Sequence, residues 1–256
     1  MTSIDVSEIH RASSGESCAL DEQSASAKPL SFPLVARRQF LEAAGTVLAG
    51  GAAALLEPQE ASADAASIMI EYFSILATGE ALFVTFYENA VANANILGLG
   101  GEALNAIQAI LAEEQIHYNF AVRNGGVAAT THFSMPQGAE TFEDRGTFLA
   151  TQQLGEFLTN AALNAWIKDW ATMGNPRLAQ IGGQLQQVEG GHRVVGRVLL
   201  DAEPWDNWGF GPVKLASFLD VPTAVTQAGF LSPKPGNSFA FRPVSPNFPG
   251  VINAFP

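Results

Sequence analysis

The sequence predicts an all-α fold: a four-helix bundle of two antiparallel hairpins joined by a long crossover, followed by an irregular Pro/aromatic-rich tail. Three observations predict it. Apolar residues recur at spacings of three and four through four stretches between residues 65 and 201, the stripe of an amphipathic helix. Short Gly-containing turns separate the first stretch from the second and the third from the fourth. A longer polar connection, residues 124–140, separates the two halves.

The first segment runs from about Ala65 to Leu97, with Phe73, Leu76, Phe83, Val84, Tyr87 and Val91 on one face, and Gly98-Leu99-Gly100-Gly101 stops it. The second runs from about Glu102 to Arg123 through Leu104, Ile107, Leu111, Tyr118 and Ala121, and ends at Asn124-Gly125-Gly126. The third, Thr141 to Thr172, carries Phe142, Leu149, Leu163 and Ile167. Gly174-Asn175-Pro176 then turns the chain, with Pro176 suited to the first position of a helix. The fourth, Arg177 to Asp201, repeats Leu178, Ile181, Leu185, Val188, His192, Val195 and Leu199. Short turns make antiparallel neighbours, and the long connection lets the second and third helices run parallel. An up-down bundle with a loose middle loop is the alternative. Residues 202–256 hold Trp205, Trp208 and most of the prolines. They are too aromatic for a solvated linker and are expected to wrap the bundle or clasp a neighbouring subunit.

Residues 1–63 read as an address. Residues 1–36 are Ser-rich, lack an apolar period and read as disordered. Ala36-Arg37-Arg38-Gln39-Phe40-Leu41 precedes an uncharged stretch from Ala43 to Leu56, too short for the about 20 residues of a membrane-spanning helix. Basic residues, a short apolar run and a small-x-small site, Ala61-Ser62-Ala63, make a secretory signal. The Arg pair followed by Phe-Leu resembles a twin-arginine signal, although the usual Ser/Thr before the arginines is missing and Glu42 stands where Lys is common. Cleavage before Asp64 would remove the single cysteine, Cys18, and leave an exported, extracytoplasmic chain with no stable membrane span.

Composition narrows the function. The 256 residues hold 13 Lys+Arg against 25 Asp+Glu, a net charge of −12, without a basic run. Binding to nucleic acid by phosphate neutralisation is excluded. One cysteine excludes a disulfide framework and any thiolate metal site of the Cys-x-x-Cys kind.

A glutamate interrupts each apolar stripe: Glu80, Glu114, Glu156 and Glu189. A buried carboxylate without a partner protonates or finds one, and four converging carboxylates call for a compensating positive charge, which two divalent cations would supply. Glu114-Gln115-Ile116-His117 and Glu189-Gly190-Gly191-His192 are both Glu-x-x-His. On a helix, i and i+3 share a face. Glu80 lies 34 residues before Glu114, and Glu156 lies 33 before Glu189, with a turn near the middle of each gap. At about 1.5 Å per residue, the two members of each pair return to about equal height. The halves also repeat, His117 to His192 spanning 75 residues.

These six positions resemble the ligand set of the ferritin-like dimetal-carboxylate superfamily. The resemblance covers about residues 66–201. The export signal and the tail look most like the ferritin-like-domain group that includes desiccation-related proteins. The resemblance implies a dinuclear iron or manganese centre, bridged by Glu114 and Glu189. Glu80 and Glu156 would be terminal ligands, and His117 and His192 would complete one metal each. It implies oxygen or peroxide chemistry, ferroxidase-like or catalase-like, in stress protection. A non-catalytic envelope or desiccation protein that keeps the bundle is the alternative. Tyr87, seven residues after Glu80, is either the tyrosine that hydrogen-bonds near the metals in ferritins or a core aromatic. Glu113, about 100° from Glu114, is expected to be solvated, Glu88 to lie at the surface, and His132 to be structural or exposed. Gly190 and Gly191 weaken their helix and are expected to admit another helix or a bulge. A homo-oligomer formed through the tail is a further expectation.

Overall fold

The computed structural model describes residues 63–206, 209–211, 214–252 and 255–256. The leader, Cys18 and the Arg37-Arg38 pair lie outside the described residues. The chain is mostly helical. Five α-helices are seen among the described residues: α1 (Ala63–Ala92), α2 (Glu102–Arg123), α3 (Arg145–Thr172), α4 (Pro176–Leu199) and the short α5 (Val221–Gln227). A two-stranded antiparallel pair joins β1 (His132–Phe133) to β2 (Phe239–Ala240).

The boundaries follow local chemistry. Gly98 and Gly101, both with positive φ, turn the chain between α1 and α2. Asp144 caps α3 by accepting from the Thr147 amide at 2.7 Å, so α3 starts later than the sequence stripe suggests, and a 3-10 turn at Gly138–Phe142 takes the intervening residues. Asn175 caps α4 by accepting from the Leu178 amide at 3.0 Å, with Pro176 in the first turn. Arg145 ties one end together, donating to the carbonyls of Gly98 at 2.9 Å and Leu199 at 3.0 Å. At the other end Gly126 lies flat on α1: a Cβ there would sit 2.2 Å from the Phe73 carbonyl oxygen.

The buried side chains form two apolar clusters. One takes Phe83, Phe86, Tyr87, Ile107, Phe148, Leu149 and Phe157. The other takes Tyr72, Phe73, Phe120, Trp166, Trp170 and Leu185. Along α1 the order is second cluster, Glu80, first cluster; along α2 it is first cluster, Glu114 and His117, second cluster. In α3 the first cluster again comes first, and in α4 the second does. Thus α1 and α4 run one way, α2 and α3 the other, and the acidic residues Glu80, Glu114 and Glu189 fall where the clusters meet, with Glu156 of α3 joining them in one polar layer.

The C-terminal residues pack on the helices. Phe218, Val221, Ala224 and Phe230 are buried among α1 and α3 side chains. Tyr118 of α2 meets Phe241 at 4.8 Å between ring centres, and Arg123 lies 4.3 Å above the Phe255 ring. Helix α1 is long and apolar enough to cross a membrane by length and composition, but its inner face carries Glu80 and Tyr87, both buried.

Candidate metal centre

Each long helix brings one part of the polar layer. Glu80 comes from α1, Glu114 and His117 from α2, Glu156 from α3, and Glu189 and His192 from α4. All six residues are buried, and Glu114, Glu156 and Glu189 have no exposed surface. The 3.6-residue period sets each Glu-x-x-His pair on one inner face, and the neighbouring aromatic clusters exclude water above and below.

Two overlapping groups result. Ligand atoms of Glu80, Glu114, His117 and Glu189 lie within 4.8 Å of one another, as do those of Glu114, Glu156, Glu189 and His192. Glu114 and Glu189 belong to both. The His117 Nδ1 is 3.0 Å from Glu189 Oε1 and 3.7 Å from both Glu80 Oε2 and Glu114 Oε2. The His192 Nδ1 is 3.1 Å from both Glu114 Oε1 and Glu189 Oε2, and 3.7 Å from Glu156 Oε1.

Many of these contacts are close without being hydrogen bonds. Glu80 Oε2, both oxygens of Glu114, His117 Nδ1, Glu156 Oε2 and Glu189 Oε1 are buried and have no hydrogen-bond partner. Buried polar atoms are normally paired. Six orphaned donor atoms converging on one place fit a cation, which accepts lone pairs from all of them. The buried Glu/His groups can therefore hold a metal ion.

The cluster's protons are redistributed by burial. Burial pushes the Glu80 carboxyl well above the usual range, against the pull of His117. Burial and the charge of Glu189 do the same for Glu156. Burial acts in the same direction on Glu189, but His192 and His117 outweigh it and hold Glu189 far below the usual range. Burial opposes charging of His117, yet Glu114, Glu189 and Glu80 raise its pKa well above normal. His192 is raised likewise: burial is overcome by Glu189 and Glu156. Burial and mutual charge thus favour the protonated forms of Glu80, Glu156, His117 and His192, which give up protons when they bind a metal ion.

The surroundings orient the ligands. The Tyr87 hydroxyl donates to Glu156 Oε1, and burial, with the charges of Glu156 and Glu114, keeps it protonated. Gln152 donates to the Tyr87 oxygen at 3.2 Å and to the His192 carbonyl at 2.8 Å, linking α3 to α4. Gly196 makes room for it, since a Cβ there would sit 1.9 Å from Gln152 Oε1.

Two expectations are corrected. Glu113 is not simply solvated: its side chain is 47% exposed, yet Oε2 lies 2.9 Å from His192 Nε2. The two ring nitrogens of His192 therefore face opposite ways, one inward to the cluster and one outward to Glu113. Gly190 and Gly191 admit neither a helix nor a bulge among the described residues. Helix α4 is continuous, and a Cβ at either glycine meets nothing within 4 Å. Close approach falls instead at Gly182, where a Cβ would sit 2.3 Å from Trp166 Cδ1. His132 is exposed in β1 and lies outside the cluster. Glu88 is half-buried, and burial raises its pKa against the pull of Arg242.

Compared with family models, curated proteins and solved structures, the chain matches none of them.

Proposed function

We propose that this chain is a ferritin-like four-helix protein that holds a dinuclear iron or manganese centre for oxygen or peroxide chemistry, ferroxidase-like or catalase-like. The observation that carries this reading is the pair of overlapping ligand groups that share Glu114 and Glu189. A shared pair of carboxylates supports two adjacent ions rather than one. Helix directions support the ferritin-like arrangement, with α1 opposite to α2, α2 along α3, and α3 opposite to α4. Four carboxylates and two imidazoles, without a thiolate, suit iron or manganese over copper(I) or structural zinc.

When bound, two such ions would exchange two electrons with oxygen or peroxide. The protein's part is to hold and protect. Glu80 with His117 would serve one ion and Glu156 with His192 the other, with Glu114 and Glu189 between them. Glu113 and Gln152 fix the orientation of His192 from outside and from its backbone. The Tyr87 hydroxyl holds Glu156 and keeps a proton beside it. The two apolar clusters keep bulk water away from the layer. The sequence of the leader supports export to an extracytoplasmic compartment, and the resemblance to desiccation-related ferritin-like proteins supports a role in stress protection.

The deciding experiment is titration of metal-free full-length protein with Fe(II) without oxygen, and separately with Mn(II), followed by metal analysis. Two ions per chain, lost in Glu114→Ala and Glu189→Ala, are expected. Absence of uptake at these ligands would overturn the reading.

A further inference from the structure

A cavity of about 50 Å³ lies beside the polar layer, between α1, α3 and the C-terminal residues. A water molecule needs only about 10–15 Å³ of such space, so the cavity admits a molecule of a few heavy atoms. Its wall is almost wholly apolar, with Ile75, Leu158 and Ala162 on the helices and Phe218, Val221 and Val225 from the C-terminal residues. Glu80 is the one ionisable residue in that wall. The wall also includes Phe83 and Gly155, which precedes the ligand-bearing position Glu156. A Cβ at Gly155 would come 2.9 Å from the Phe83 ring, so the ring rests on bare backbone there. The cavity thus meets one carboxylate of the candidate centre, Glu80, and runs along the α3 backbone at Gly155, next to Glu156.

Such a wall selects by polarity. Although partly open to solvent, such a wall offers water few hydrogen-bond partners and favours apolar guests. Hydrogen peroxide would shed its hydrogen bonds to water on entry and regain almost none. Dioxygen has none to lose. We infer that this cavity is a binding site for dioxygen-sized apolar molecules, and that it feeds dioxygen, not peroxide, to the candidate metal centre. The second half of this inference rests on the dinuclear reading above; the first does not.

The probe is xenon, a dioxygen-sized apolar atom. Crystals of the metal-free full chain under xenon pressure should show xenon between Gly79, Leu158 and Val225. Ala162→Leu and Gly79→Val, which add side-chain volume at the wall, should abolish that xenon peak while metal stoichiometry stays unchanged. The same variants should slow Fe(II) oxidation by dioxygen about tenfold or more and leave oxidation by hydrogen peroxide unaffected. Xenon absent from the cavity of the unmodified chain, or an ordered water there, would overturn the binding site. Equal slowing with both oxidants, or no slowing with dioxygen, would overturn the delivery role. If no metal binds, the dinuclear reading fails while the xenon result still decides the cavity.

Discussion

Glu113 Oε2 lies 2.9 Å from His192 Nε2, so a half-exposed carboxylate on α2 steers a buried imidazole on α4. The contact leaves Nδ1 as the nitrogen that faces Glu114 and Glu189. Partners of this kind fix ring orientation and raise ligand basicity. Glu113→Ala should therefore weaken metal binding about 10- to 100-fold, with helical content unchanged, as measured by competition with a chelator. Unchanged affinity would remove Glu113 from the centre.

Protonation should set the metal-free fold against the metal-loaded one. His117 and His192 have raised pKa values in the fold. Their contribution is fully present below the ordinary value of 6.5 and is lost as pH rises through the raised values. Glu80 and Glu156 are also raised, so rising pH above the ordinary 4.5 charges them in the unfolded chain first and costs the fold stability. The Tm of metal-free protein should fall as pH rises across and above this window. Metal binding should release protons and should tighten as pH rises. Calorimetric titration in buffers of different ionisation enthalpy measures the release. A proton count near zero would contradict the arrangement.

Asp169 anchors the C-terminal residues. It accepts from the Tyr72 hydroxyl at 2.9 Å, from the Ser217 hydroxyl at 2.8 Å and from the Phe218 amide at 2.8 Å. Asp169→Ala leaves buried donors unpaired and should cost about 2–4 kcal/mol, with a changed fluorescence of Trp166 and Trp170. Burial would raise the Asp169 pKa, but the Phe218 amide and the two hydroxyls hold it below 3.8. A depressed carboxyl stabilises above its unfolded pKa and loses that effect as pH falls through the native value. Acid release of this anchor should therefore begin only below about pH 4. A fluorescence change centred well above that pH would count against it.

Four of the five glycines of α4 form two pairs that should respond oppositely to alanine. Gly190→Ala and Gly191→Ala, with open space for a Cβ, should each stabilise by up to about 1 kcal/mol. Gly182→Ala drives a methyl into Trp166 and should destabilise by about 1–3 kcal/mol; Gly196→Ala, against Gln152, should also destabilise. Denaturant midpoints separate the two pairs.

Parts of this arrangement were legible in the residues. The i, i+3 spacing of Glu114 with His117 and of Glu189 with His192 follows from helix geometry once the apolar stripes are seen. The 33- and 34-residue gaps follow from antiparallel return. Rotation of one helix against another is not written in either helix, which is why the Glu113–His192 contact was missed. For the same reason the glycines at 190 and 191 looked like a contact face, when the close approaches are at Gly182 and Gly196. The start of α3 was misplaced because Phe142 continues the apolar period, whereas the Asp144 cap ends it. The cavity has no sequence signal, since it is made by side chains far apart along the chain that fail to fill a space.

Because the six donor residues are divided among four helices, no single hairpin contains a complete ligand group. Glu80, Glu114 and His117 of the first hairpin need Glu189 from the second, and Glu156, Glu189 and His192 need Glu114 from the first. A cation at this layer would recognise the assembled chain and not its halves. By mass action, free metal at 100 times its Kd would add about 2.7 kcal/mol to folding. Melting temperature would then report metal availability, and starvation for metal would register first as loosening between the two hairpins.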